Sequence, residues 1–137
     1  MIYLFDTNIC IYLIKNKFPA MLDRIESIGI ENIGISTITL AELEFGIANS
    51  DPEKLEQNRN ALMEFLIPFD IIEFSSTDAF EYGQIRTHLK NQGILIGNMD
   101  MLIGAQARAR DLILVTNNEK EFQRIESLEI ENWTITN

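Results

Sequence analysis

The stretch Ile2-Tyr3-Leu4-Phe5 constrains this chain most. Four apolar residues in a row lack the alternation of a strand with one wet face, and they are too few for a buried helix. They fit a short strand, over residues 2–6, that is covered on both faces. A chain that begins this way must supply helices for both sides of a sheet. Asp6-Thr7-Asn8 follows at once, so an acid, a hydroxyl and an amide stand where the strand stops and a helix starts. A carboxylate in that position can cap the helix or hold a metal ion. Both readings are open at this point.

The rest of the sequence repeats the pattern. Short apolar runs at 33–36, 69–74 and 112–115 read as strands, and 128–135 can supply a last one containing Trp133. Between them lie segments with helical spacing. Residues 8–16 form the first. Pro19 opens a second, which Gly29 closes. A third starts at Ser36-Thr37. A fourth starts at Ser50-Asp51-Pro52, with Asp51 or Ser50 as its cap. Ser75-Ser76-Thr77-Asp78 has the pattern of a capping box. Asn98 leads into an apolar helix reaching Arg110, and Asn118 caps a last helix running to about Ile125. Pro19, Pro52 and Pro68 fall at element boundaries, and no repeat or linker interrupts the chain. One domain over residues 1–137 is expected, an α/β sandwich around a mainly parallel sheet. In such folds ligands sit outside the carboxyl ends of the strands, where strand order reverses.

Composition narrows the function. No apolar run reaches the length of a membrane span, and the N-terminus lacks a basic segment followed by a signal core. A cytoplasmic protein is the simplest expectation. The single Cys10 cannot form an internal disulfide and sits in the apolar run Ile9-Cys10-Ile11, as a buried thiol would. The formal charge of −10, from 21 acids and 11 bases, argues against a nucleic-acid partner on average and favours a basic one. A cluster of metal-binding acids would inflate that average.

Four acidic positions share one setting, the start of a helix: Asp6, Glu42, Asp100 and the Glu119/Glu121 pair. Each has a structural explanation. Asp6 fits an N-cap, and Thr39-x-x-Glu42 and Asn118-x-x-Glu121 fit capping patterns. Asp100 suits the positive end of the helix dipole. Taken together, first-turn acids on helices starting at one sheet edge can converge. Clustered carboxylates raise one another's pKa unless a cation joins them. Oxygen donors without Cys or His point to Mg²⁺ or Mn²⁺. Such an ion can lower the pKa of a bound water and stabilise phosphoryl transfer. The chain has no phosphate-binding Gly-x-x-x-x-Gly-Lys-Ser/Thr loop and no Gly-x-Gly-x-x-Gly fingerprint. Its only histidine, His88, lies mid-helix, which argues against a Ser-His-Asp triad. Asn8 stands where the aspartyl phosphatases place their second Asp.

Four motifs occur in order along nearly the whole chain: Leu4-Phe5-Asp6-Thr7-Asn8, Ser36-x-x-Thr39-Leu40-Ala41-Glu42-Leu43-x-x-Gly46, Ile96-Gly97-x-x-Asp100-x-x-Ile103-x-Ala105, and Leu114-Val115-Thr116-Asn117-Asn118-x-x-Glu121-Phe122. In these the sequence resembles the PIN-domain ribonucleases, specifically the VapC toxins of bacterial toxin–antitoxin pairs. The resemblance implies a three-layer α/β/α sandwich with a roughly five-stranded, mainly parallel sheet. It also implies an Mg²⁺- or Mn²⁺-dependent endoribonuclease. Carried onto these positions, Asp6 and Asp100 are the principal metal ligands and Glu42 completes the acidic cluster. Glu121 is the candidate for the fourth site, because Asn118 stands where many relatives have an acid and Glu119 is nearby. Thr7, Asn8 and Thr116 are polar support. The segments Asn117-Asn118-x-x-Glu121-Phe122 and Ile130-Glu131-Asn132-Trp133 are similar to the branch that cuts initiator tRNA at its anticodon stem-loop. The resemblance further implies a homodimer, with the helix faces near 38–47 and 55–66 as candidates for the contact. The implied antitoxin would send an Arg or Lys into the acids. Of the basic pairs Lys15/Lys17, Arg86/Lys90 and Arg108/Arg110, the pair Arg86/Lys90 is the candidate for touching RNA. Two other readings stand beside this one: an interaction module of the same fold whose acids only cap helices, and a small phosphatase or DNA nuclease using the same cluster.

Overall fold

The computed structural model describes residues 1–135. Five strands form one sheet: β1 (Tyr3–Phe5), β2 (Ile33–Ser36), β3 (Asp70–Ile72), β4 (Ile113–Val115) and β5 (Ile130–Glu131). Their order is β3-β2-β1-β4-β5, and every neighbouring pair is parallel. The opening apolar run is therefore the central strand. Phe5 lies in register with Ile35 on one side and Val115 on the other. Strand order reverses at β1, so the crevice expected at such a switch point opens between β1 and β4.

Successive side chains of a strand face opposite sides of the sheet, and the core divides accordingly. Phe5, Ile33, Ile35 and Val115 join the side covered by α1 (Thr7–Ile14), α2 (Ala20–Ile28), α3 (Thr37–Ala48) and α4 (Leu55–Leu66). Leu4 and Leu114 join the other side, covered by α5 (Ser76–Asn91) and α6 (Asn98–Ala109). A one-turn helix, α7 (Glu119–Phe122), follows β4 and packs Phe122 into that second cluster. The expected layered α/β/α sandwich with a five-stranded sheet is present. Cys10 is buried. No helix among the described residues is long and apolar enough to cross a membrane.

Helix α6 enters by a different route from the other site helices. No strand precedes it. Arg110, just past its end, donates to the Asp78 carboxylate near the start of α5 at 3.0 Å, and Arg108 pairs with Glu81 at 2.8 Å. The end of one helix thus meets the start of the other, and α5 and α6 form an antiparallel hairpin joined by residues 92–97. Reversal through this loop returns Asp100, in the first turn of α6, to the carboxyl edge of the sheet. Gly104 lets α6 sit close to the segment after α7, since a Cβ there would stand 2.6 Å from Ile125 Cδ1.

Several expected caps differ in the structure. Asp6 does cap α1: its Oδ1 accepts the Ile9 N–H at 2.9 Å. Ser75 and Asp78 form the expected reciprocal box. Helix α3, however, is capped by Ser36, whose hydroxyl accepts the Ile38 N–H. Thr39 lies inside that helix, so Thr39-x-x-Glu42 is not a capping box. Asp51 makes no side-chain cap bond, and the Ser50 hydroxyl donates back to Ile47; a 3-10 turn over Pro52–Lys54 starts the segment instead. Asn118 precedes α7 but makes no side-chain cap bond, and the helix ends at Phe122 rather than near Ile125. Its amide is used elsewhere, as described next.

Candidate functional site

Asp6 leaves the end of β1 nearly inaccessible, at 3% exposure. Its two oxygens face different tasks. Oδ1 takes the Ile9 amide of α1, while Oδ2 accepts the hydroxyl of Thr116, the first residue past β4. The Thr116 oxygen in turn accepts the Asn118 N–H at 2.9 Å. Two neighbouring parallel strands thus end in a mutually bonded acid and alcohol. Burial raises the Asp6 carboxyl from its usual 3.8 to about 6, against the Thr116, Ile9 and Asn8 bonds, and the nearby Glu42 charge adds to the rise.

Glu42 projects from the second turn of α3, where no helix-capping bond holds it. Thr7, the first residue of α1, donates its hydroxyl to Glu42 Oε1 at 2.6 Å and lies 3.5 Å from the buried Thr39 hydroxyl. Asn8 is exposed at the surface and offers its backbone rather than its side chain.

Asp100 and Glu121 meet as a carboxyl pair. Burial, then a hydrogen bond and charge from Glu121, then the charges of Asp6 and Glu42, raise Asp100 from 3.8 to about 7. Glu121 is lowered in turn, chiefly by the bonds from Asp100 and Asn118. The two carboxyls therefore titrate as a coupled pair, with Asp100 raised and Glu121 lowered. Asn118 Nδ2 donates to Glu121 Oε2 at 2.8 Å, which makes the residue at the expected acid position the holder of the acid three residues on. Glu119 turns away and accepts from the Asn132 amide at 3.1 Å.

The structure therefore brings Asp6, Glu42 and Asp100 within electrostatic reach of one another, and Glu121 within reach of Asp100. They arrive from β1, α3, α6 and α7. Among the described residues, no three such side chains stand close enough together to hold a metal ion by themselves, so water would have to fill most of its positions. The corner offers oxygen donors only, and its clustered negative charge adds to the rise of the Asp6 and Asp100 carboxyls. Its donors suit a hard divalent cation that keeps much of its own water, as Mg²⁺ does. Such a cation would offset the charge that raises these carboxyls. Each Asp6 oxygen retains a lone pair beyond its hydrogen bond. The residues fit the ion.

The basic residues are distributed unequally. Arg108 and Arg110 are consumed by Glu81 and Asp78 and so are framework, while Arg86 bonds to Tyr82 on the exposed face of α5. His88 is surface-exposed and 3.8 Å from Glu126. Sequence reasoning passed over Arg124. It stands three residues after Glu121 and bonds to the loop carbonyls before α6. The i,i+3 spacing was the available signal.

A parallel sheet in this order with acids at its switch point defines a class, and comparison with known proteins gives the same one. The family model of the PIN domain matches residues 3–128. The chain belongs to the PIN-domain family. It is 46% identical over 134 residues to ribonuclease VapC2 of Rickettsia felis, covering 97% of this chain and 98% of that one. It is 38% identical over 132 residues to the tRNA(fMet)-specific endonuclease VapC of Shigella flexneri, covering 96% and 98%. The structure of VapBC2 from Rickettsia felis bound to a promoter DNA fragment matches with a TM-score of 0.91 at 46% identity, over 97% of this chain and 99% of that one. Within its family the chain groups with the VapC ribonucleases.

Proposed function

We propose that this chain is a divalent-metal-dependent endoribonuclease, the toxin of a toxin–antitoxin pair, and that it cuts initiator tRNA. The observation that carries the catalytic part is the approach of Asp6, Glu42 and Asp100 to one another at the β1/β4 switch point, with Glu121 paired to Asp100. Asp6 and Asp100 hold Mg²⁺ or Mn²⁺, and Glu42 and Glu121 complete the acidic corner. When bound, the cation supplies a water of lowered pKa and charge neutralisation at the phosphodiester.

The chain's own residues prepare that corner. Thr116 fixes Asp6, Thr7 fixes Glu42, and Asn118 fixes Glu121. Each hydroxyl or amide spends its donor on a carboxylate, so the acids are held before substrate arrives. A bound cation would favour the ionised form of the Asp100–Glu121 pair. Lys90, with Arg86 on the same face of α5, offers local attraction for RNA in an otherwise acidic protein.

The Rickettsia and Salmonella typhimurium neighbours are VapBC complexes, which supports an antitoxin partner here. An apolar groove of about 300 Å³ between α1, α3 and α4, lined by Ile11, Ile14, Leu43, Ala61 and Leu62, runs alongside Glu42. An antitoxin segment seated there places a basic residue against the acids. Leu43, Ile47 and Leu62 of the faces suggested for dimer contact belong to the core, while Phe45 and Met63 remain exposed for it.

The test uses the purified chain with initiator and elongator tRNAs and Mg²⁺ or Mn²⁺. A single cut in initiator tRNA, absent with EDTA and absent in Asp6→Asn, is expected. Cleavage that survives EDTA, or that persists in Asp6→Asn, overturns the metal reading. Equal cutting of both tRNAs overturns the target.

A further inference from the structure

We infer that Arg124 is the positioning residue that holds Asp100 against Glu121. The inference rests on the acidic corner proposed above. It starts from the loop over residues 92–97, which has no regular structure yet must deliver Asp100 accurately. Gly93 adopts a positive φ of 71°, and Ile94 donates back to Leu89. Ile96 is anchored in the core. The carbonyls of Ile94 and Leu95 are met by Arg124, whose Nη1 lies 3.4 and 3.2 Å from them.

The loop then runs directly into the site. Gly97 precedes α6 and lies against the Asp100 carboxylate: a Cβ on Gly97 would stand 3.7 Å from Asp100 Oδ2. Holding residues 94–95 therefore fixes where the first turn of α6, and Asp100 with it, can sit. Arg124 follows α7, the helix that carries Glu121, and its N–H bonds to the Glu121 carbonyl at 3.1 Å. One short segment thus grips Asp100 twice, directly through Glu121 and indirectly through Arg124 and the loop. The other arginines of the α5–α6 hairpin are bound to Glu81, Asp78 and Tyr82. A planar guanidinium suits this task because it offers several donors in fixed geometry, which an ammonium does not.

Arg124→Gln and Arg124→Lys in the full chain test the assignment by three measurements. Hydrogen exchange of the metal-free protein is expected to speed up over residues 94–101 in Arg124→Gln and to stay unchanged at Ile9 and Cys10. Calorimetric affinity for Mn²⁺ is expected to fall about tenfold, the lower end for residues that orient metal ligands. RNA cleavage is expected to lose kcat with little change in KM. Arg124→Lys keeps the charge and is expected to recover only part of each effect. Unchanged exchange over 94–101 overturns the inference. So does a raised KM with unchanged Mn²⁺ affinity, which would make Arg124 an RNA contact. Absence of Mn²⁺ binding by the native chain overturns the metal reading, while the exchange comparison still decides the role of Arg124.

Discussion

The Thr116 hydroxyl donates to Asp6 Oδ2 across two adjacent strand ends, 110 residues apart in sequence. It also accepts the Asn118 amide, so one oxygen sets both the angle of Asp6 and the path of the chain toward Glu121. Thr116→Val keeps the shape and removes both bonds. Expected is a fall of about ten- to a hundredfold in Mn²⁺ affinity, with recovery in Thr116→Ser. Calorimetry on the two variants checks this.

Asp100 makes a pH-dependent prediction. Its folded-state pKa of about 7 lies above its usual 3.8, so ionisation costs stability, and that cost grows as pH rises between those values. Asp100→Asn removes the cost. The metal-free variant is expected to be about 1–3 kcal/mol more stable than the native chain near pH 8. The gain disappears by about pH 4. Mg²⁺ raises the Tm of the native chain and leaves the variant unmoved. Thermal melts across pH with and without Mg²⁺ check each part, and RNA cleavage by the variant is expected to be lost.

Ser36 and Glu42 separate capping from chemistry on one helix. Ser36 caps α3, so Ser36→Ala is expected to cost about 1 kcal/mol. Glu42 receives Thr7 and caps nothing. Glu42→Gln can keep that bond through its carbonyl oxygen and is expected to change stability by less than about 0.5 kcal/mol while lowering cleavage. Urea unfolding beside an RNA assay distinguishes the two.

Asp78 and Arg110 brace the hairpin that presents Asp100. Burial pushes the Asp78 carboxyl up, but the bonds and charge of Arg110 and the Ser75 bonds outweigh it and hold the group below its usual range. The stability this gives is present above the ordinary carboxylate pKa and is lost as pH falls through the lower folded value. Arg110→Gln strands a buried charge and is expected to cost about 2–4 kcal/mol at neutral pH. The difference from the native chain narrows in acid. Unfolding curves at neutral and acidic pH check both statements.

Particular residues mark how far local sequence could be read. The strand at Tyr3–Phe5, the Ser75/Asp78 box and the end of α2 at Gly29 were legible because each depends on neighbours within four residues. The same local rules misassigned Thr39, Asp51 and Asn118. Each has a capping pattern, yet the helix start lay elsewhere, as for Thr39, or the side chain made no cap bond, as for Asp51 and for Asn118, whose amide is given to the Glu121 side chain instead.

Residue types alone place a short, doubly covered strand ending on Asp6 and acids near helix starts, because burial and helix capping are local demands. Their convergence comes from the packing of the layers. Strand order put Thr116 beside Asp6, and the α5–α6 reversal returned Asp100 to the sheet edge without a strand to lead it there. The same packing chose Glu121 over Glu119, since Asn118 holds one while Asn132 draws the other away. Pairing across such separations depends on how layers pack, which short-range propensity does not encode.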